Sequence, residues 1–154
     1  MEPRVTIITP SYNQAAFLEQ TICSVLDQEY ENLEYFVVDG GSNDGSQEII
    51  QKYDSRIDWW VSEKDMGQAE AINKGFERAE GDYVAWLNSD DLYQPGAIRD
   101  AVKMLEENPE ASMVYGNVLS IDEGGEPFNL MTYDQWDVKD LMSFNIIGQP
   151  AVFL

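Results

Sequence analysis

The chain has 154 residues, 29 acidic against 9 basic, a formal net charge of −20 and no histidine. Its length fits one domain with material for a real core, and its 44% hydrophobic content is that of a globular protein. The acidic balance argues against nucleic acid as a partner and against electrostatic attraction to anionic lipid. Without imidazole there is no Ser-His-Asp or Cys-His catalysis and no usual zinc site, so any metal must be hard and oxygen-ligated, Mg²⁺ or Mn²⁺. The single cysteine, Cys23, reads as a core thiol. No apolar run approaches the roughly 20 residues that span a bilayer, and MEPRVTIITP lacks the features of a secretory signal. A cytoplasmic protein is expected, with peripheral association at the inner face of the cell membrane left open.

In chain order, Val5 to Thr9 reads as a buried strand stopped by Pro10. Ala15 to Gln28 carries Leu18, Ile22, Val25 and Leu26 at helical spacing, with Asn13 as its cap. Leu33 to Val38 is a second strand, ending in Asp39-Gly40-Gly41, and GGSNDGS turns into a helix that continues from Glu48 to Tyr53. Ile57 to Val61 is a third strand, Gln68 to Ala79 a helix, and Tyr83 to Leu87 a fourth strand. Pro95 and Asn108-Pro109 bracket another helix. Beyond it, Met113 to Ser120 predicts a strand, DEGGEP a turn, and Phe128 to Met131 a strand pairing back as a hairpin. WDVKDLMSF is a short helix candidate. The apolar NIIGQPAVFL stops at the last residue, and because termini normally lie at the surface a truncated or incomplete chain is expected.

Alternating strands and helices imply a three-layer α/β sandwich with a mainly parallel central sheet and helices on both faces. Ligands then bind beyond the carboxyl ends of the strands. The segments there are TPSYN, DGGSND, SEKDMGQ and NSDD. Asp90 and Asp91 leave the fourth strand as adjacent carboxylates, half of a divalent-cation site; a capping or solvated pair is the plainer alternative. A diphosphate facing bare carboxylates is repelled by roughly 1 kcal/mol per charge pair in water and about 4 near a protein surface, and a cation reverses that sign. Asp39 follows a buried strand directly, so it is either a turn residue or a fixed acceptor for a donor group on a nucleobase or ribose. Tyr12 suits a planar base, or ordinary packing. Gly67 lets backbone approach a ligand, and Gln68 and Asn73 offer amide contacts. Neither GxxxxGK[ST] nor GxGxxG is present, which disfavours ordinary kinases and Rossmann dehydrogenases.

These segments, VTIITPSYNQAAFLEQTICSVLDQEYENLEYFVVDGGSNDGS followed by SEKDMGQAEAINKGFERAEGDYVAWLNSDD, resemble the family 2 glycosyltransferases of GT-A fold, in particular bacterial enzymes that build O-antigen and other surface polysaccharides. The match is dense from Val5 to Ile98 and looser over GQPAVFL. The resemblance implies an inverting hexosyl transfer from a UDP- or dTDP-sugar to a saccharide or lipid-linked acceptor. It implies a donor site drawn from Thr9, Pro10, Tyr12, Asn13, Asp39, Gly67, Gln68, Asn73, Ser89 and Asp90. Pro10 and Tyr12 would line the base pocket. Asp39 would accept from the N3–H of uracil or thymine, which cytosine lacks. Asp91 would be the main ligand of Mg²⁺ or Mn²⁺, assisted by Asp90. Asn88 stands where a strict D-x-D would place an acid. Residues 1–110 would then be the nucleotide-sugar half and 111–154 the start of the acceptor half. The family's general base is expected beyond Leu154, since nothing singles out Asp134, Asp137 or Asp140. This chain alone would bind donor and transfer poorly. Two rivals stand beside this reading: a nucleotidyltransferase, whose glycine-rich signature with a basic residue near the first strand is missing, and a non-catalytic binding module derived from the fold.

Overall fold

A computed structural model describes residues 2–135, 139 and 147–154. Strand β1 (Val5–Ser11) lies between β2 (Leu33–Asp39) and β4 (Tyr83–Trp86), with β3 (Trp59–Ser62) outside β2, giving a parallel sheet of order β3-β2-β1-β4. Helices α1 (Ala15–Leu26), α2 (Ser46–Lys52), α3 (Gln68–Phe76) and α4 (Ala97–Glu107) connect the strands or follow them.

Period-2 alternation sorts the sheet's side chains between two cores. Val5, Ile7, Tyr35, Val37, Ala85 and Leu87 face α1, α2 and α4, meeting Leu18, Ile22, Val25, Ile50, Ile98 and Leu105. Ile8, Phe36 and Val38 face the other way, onto Ala71 of α3, with Trp59, Val61, Phe76 and Trp86 at the rim. This is the expected three-layer arrangement. α3 lies close because residue 75 is glycine: a Cβ there would stand 2.6 Å from Ile8 Cγ2.

β1 does not stop at Pro10. It runs on to Ser11, in register with Asp39. Pro10 shares the parity of Ile8, whose carbonyl accepts from the Leu87 amide on the β4 side. Pairing with β4 ends at Ile8↔Trp86, so the N–H that proline lacks would face an edge with no ladder. Nor does Asn13 cap α1. Its φ of 53° lies in the left-handed region, the Gln14 at the N-cap makes no side-chain cap, and Asn13 Oδ1 accepts instead from the Asn43 amide at 3.1 Å. The Ala15 amide donates to Asp44 Oδ2 at 2.9 Å, so the cap comes from the loop after β2.

After α4 the elements are short. The expected strand Met113–Ser120 divides into β5 (Val114–Tyr115) and β6 (Val118–Ile121), because the Gly116 amide donates to the Ala151 carbonyl and the chain changes partner there. β7 (Pro127–Met131) pairs antiparallel with β6, as the sequence predicts. A 3₁₀ turn (Gln149–Ala151) leads into β8 (Val152–Phe153), antiparallel to β5. Reciprocal 2.9 Å bonds between Val84 and Leu154 seat the end of β8 beside β4, extending the central sheet. The helix expected in WDVKDLMSF lies outside the described residues apart from Lys139.

Candidate functional site

All four strands of the parallel sheet deliver their carboxyl ends to one edge. Asp39, the last residue of β2, is fully buried there. Its Oδ2 accepts from the amides of Gly41 (3.1 Å) and Ser42 (2.9 Å) and from Ser62 Oγ (2.5 Å) at the end of β3, while Oδ1 accepts from Ser42 Oγ. Oδ2 thus takes three donors and Oδ1 one, out of the roughly four lone-pair sites of a carboxylate. In this arrangement Asp39 organises the turn and clamps β2 to β3. A base N–H would have to reach the remaining Oδ1 site or replace one of the hydroxyls.

Thr9 is likewise buried, and its Oγ1 accepts from Tyr35 OH at 2.9 Å, so its side chain supports the edge from beneath. Burial pushes the Tyr35 phenol well above its ordinary value, which keeps it a donor. Pro10 is buried, whereas Tyr12 presents 62% of its surface to solvent. Tyr12 is therefore not core packing. Asn13 is exposed and tied to the β2 loop, its amide donating to Ser42 Oγ at 2.8 Å. Gly67 has a φ of 118°, which excludes ordinary side chains, and its amide donates to Asp65 Oδ1. It opens α3, whose first residue is Gln68. Asn73 is exposed more than a turn further along α3.

The exit of β4 is the most closely specified part. The Asp91 amide donates to the Asn88 carbonyl and the Asp91 carbonyl accepts from Thr21 Oγ1 of α1, which fixes the turn. Ser89 is buried within it and Asp90 is exposed. Burial raises the Asp91 carboxyl above the ordinary aspartate value, the Asp90 charge raises it further, and the Asn88 amide offsets part of this. No ion pair reaches either carboxylate among the described residues. Asn88 stands at the centre of an amide chain: Gln68 Nε2 donates to its Oδ1 (2.6 Å), and its Nδ2 donates to Asp91 Oδ2 (3.2 Å) and to Gln149 Oε1 (3.1 Å). Gln149 Nε2 in turn donates to the Trp86 carbonyl at 2.8 Å. The sequence flags Asn88 only as a departure from D-x-D and misses Gln149, whose role depends on a contact 61 residues away along the chain.

On the far side of the pair from Asp39 opens a cleft of about 700 Å³, running from Asp90 and Asp91 between α4 and the β6–β7 hairpin to Pro150 and Phe153. Its walls are mostly apolar, Tyr93, Met104, Val118, Leu119 and Met131 among them, and none of Tyr12, Asp39 or Gly67 lines it. The two carboxylates thus stand between the strand-end residues and a separate cleft. Among the described residues no three His, Cys, Asp or Glu side chains group as a cation cage. The donor set offers two hard oxygen ligands, one of them held above its ordinary proton affinity by burial and by the Asp90 charge beside it. That suits Mg²⁺ or Mn²⁺ completed by ligand and water oxygens. Of Asp134, Asp137 and Asp140, only Asp134 lies within the described residues, and its carbonyl accepts from Tyr115 OH.

The chain is 39% identical over 126 residues to a putative teichuronic acid biosynthesis glycosyltransferase, TuaG, of Bacillus subtilis, covering 80% of this chain and 50% of that protein. It is 30% identical over 155 residues to glycosyltransferase GlyG of Streptococcus pneumoniae, covering 98% and 51%. It thus spans about half the length of these relatives. Among solved structures, the mannosyltransferase PcManGT of Pyrobaculum calidifontis, in complex with GDP-Man and Mn²⁺, is 30% identical with a TM-score of 0.70 over 78% of this chain and 36% of that one. S. aureus TarS 1–349 in complex with UDP-GlcNAc shares the fold, at 22% identity and a TM-score of 0.63 over 77% and 34%. Residues 6–150 match the profile of glycosyl transferase family 2, and the chain belongs to that family.

Proposed function

We propose that this chain is the donor-binding part of an inverting, cation-dependent glycosyltransferase that takes a UDP- or dTDP-sugar and serves surface-polysaccharide synthesis. The observation that carries this reading is the Asp90–Asp91 pair, placed at the exit of β4 between the other strand ends and an apolar cleft. Asp91, half-buried and destabilised as a charge, is the principal ligand, and exposed Asp90 assists. The bound cation would neutralise the donor diphosphate and the charge left on it as the sugar departs. Tyr12 and Pro10 cover the base, Asp39 presents an acceptor to its imino N–H, and the open backbone at Gly67 admits the phosphates. The cleft receives the acceptor, a saccharide or lipid-linked sugar. No described carboxylate is assigned as the base that deprotonates it. PcManGT, with GDP-Man and Mn²⁺, supports both the nucleotide-sugar class and the cation; the choice of uracil or thymine rests on Asp39 alone. Among the described residues no helix is long and apolar enough to cross a membrane.

The test is calorimetric titration of UDP, dTDP and GDP into the 154-residue protein with Mn²⁺, with Mg²⁺ and with EDTA, repeated on Asp91→Ala. UDP or dTDP should bind only with a cation, and Asp91→Ala should weaken binding by more than about 100-fold, beyond the usual effect of an outer-shell residue. Affinity that survives both EDTA and Asp91→Ala, or no binding at all, overturns the reading. Tighter binding of GDP than of UDP overturns the base assignment alone.

A further inference from the structure

We propose that Gln149 is a positioning residue for Asp91, acting through Asn88, so that cation affinity at the β4 exit depends on the docking of the segment that precedes β8. The inference rests on the cation reading of Asp91 given above.

The hydrogen-bond chain has only one consistent polarity. The Trp86 carbonyl can only accept, so Gln149 must turn its Nε2 toward it. Gln149 Oε1 then faces Asn88, which must present Nδ2. The same Nδ2 reaches Asp91 Oδ2, an acceptor when ionised. That leaves Asn88 Oδ1 for Gln68, which must donate. A backbone carbonyl at one end and a carboxylate at the other therefore set the orientation of three amides, without any ambiguity between amide O and N. Both Asn88 N–H groups and its carbonyl oxygen are used, so its side chain has one orientation available.

Asp91 needs this. Its backbone is held by Thr21 and Asn88, but its carboxylate receives one side-chain hydrogen bond among the described residues, from Asn88. An acid at position 88 would add a third negative charge and could not donate to Gln149 or Asp91. The amide explains the departure from D-x-D: position 88 orients the ligand and does not ligate. Gln149 belongs to the 3₁₀ turn that opens into β8, and β8 is seated against both β4 and β5. Undocking that segment would free one of the two Asn88 N–H groups and with it the aim of Asp91.

The experiment measures the Asp91-dependent part of Mn²⁺ binding to the whole 154-residue protein, by the loss of the free-ion paramagnetic resonance signal. The proteins compared are the parent, Asp91→Ala, Gln149→Met, Asn88→Ala and the double variant Gln149→Met/Asn88→Ala. Met keeps the length of Gln and removes its donors and acceptor. Gln149→Met is expected to weaken Mn²⁺ binding by about 10-fold, at the low end for a residue that orients a ligand. In the Asn88→Ala background the same substitution should change nothing further, because Gln149 acts only through Asn88. Additive losses would mean that Gln149 merely stabilises the fold, and parent-like affinity would mean that it does not act on Asp91; either overturns the inference. Should Gln149→Met fail to fold, Gln68→Met removes the opposite anchor of Asn88 from an exposed position and must weaken Mn²⁺ binding in the same direction. Mn²⁺ binding that survives Asp91→Ala would instead overturn the cation reading itself, so the two failures are distinguishable.

Discussion

The sheet from β1 to β4 and the segment from β5 to β8 are held by different means. In the first, the central strands β1 and β2 are covered on both faces, and Val5, Ile7, Ile8, Leu18, Ile22 and Val37 are fully buried. In the second, the β6–β7 hairpin pairs mainly with itself and leaves Leu119, Phe128 and Leu130 exposed. The consequence is a division of labour at the Asp90–Asp91 pair. The strand-end residues stand on a stiff scaffold, while the cleft on the other side has a wall made of a two-stranded ribbon, which on its own is marginal. Side-chain truncation should expose this difference most strongly. Leu18→Ala, in the core beneath the sheet, is expected to cost about 2–5 kcal/mol. Leu130→Ala on the hairpin should stay within about 0.5 kcal/mol. Urea unfolding of both variants decides it. Equal losses would mean that the hairpin is buried in solution and the contrast is wrong.

The same contrast governs how much the sequence reveals. The apolar run Val5–Thr9 and the helical spacing of Leu18, Ile22 and Val25 are local signals, and each produced the right element with an end displaced by two residues. Pro10 misled because its effect depends on which edge of β1 is paired, a property of the sheet. Asn13 misled for a related reason: the cap of α1 comes from Asp44, 29 residues away from Ala15. The strand ends themselves were legible, because the fold class alone dictates where ligands bind. What each side chain does there was less so. Asp39 and Thr9 proved buried and engaged, and Gln149 became visible only once the chain had folded back. Met113–Ser120 read as one strand, but the hydrogen-bonding partner changes at Gly116.

A smaller effect tests whether the stiff half really carries a cost at its edge. Burial first, and the Asp90 charge second, raise the Asp91 carboxyl. The folded protein therefore holds that proton more readily than the unfolded chain does. Ionising Asp91 costs stability above the raised value, and the cost disappears as pH falls below the ordinary aspartate value of 3.8. Asp91→Asn removes the charge and keeps the shape. In metal-free buffer it should melt higher than the parent at neutral pH, with the gain shrinking to nothing at acid pH, even though cation binding is lost. Thermal melts across pH in EDTA would show it. A variant that melts lower at neutral pH would mean that the carboxylate is already compensated, and the electrostatic argument for a cation would fail with it.

The smallest expected change concerns Ser62, whose hydroxyl occupies one acceptor site of Asp39. If a base N–H is to be read by Asp39, the most easily displaced of its four donors is the Ser62 rotor, since the Gly41 and Ser42 amides are held by the turn. Ser62→Ala removes the competitor and opens its place beside Oδ2 to another donor. The base then gains a hydrogen bond without breaking one, a difference of about 0.5–1.5 kcal/mol, or roughly 2- to 10-fold in affinity. UDP should therefore bind Ser62→Ala more tightly than the parent, while CDP, with no N3–H, should not gain. Weaker UDP binding would place Ser62 itself against the base. Equal gains for UDP and CDP would show that the substitution loosened the loop between β2 and β3 without touching recognition, and Asp39 would return to the role its four hydrogen bonds already describe, a buried clamp at the edge of the stiffer half.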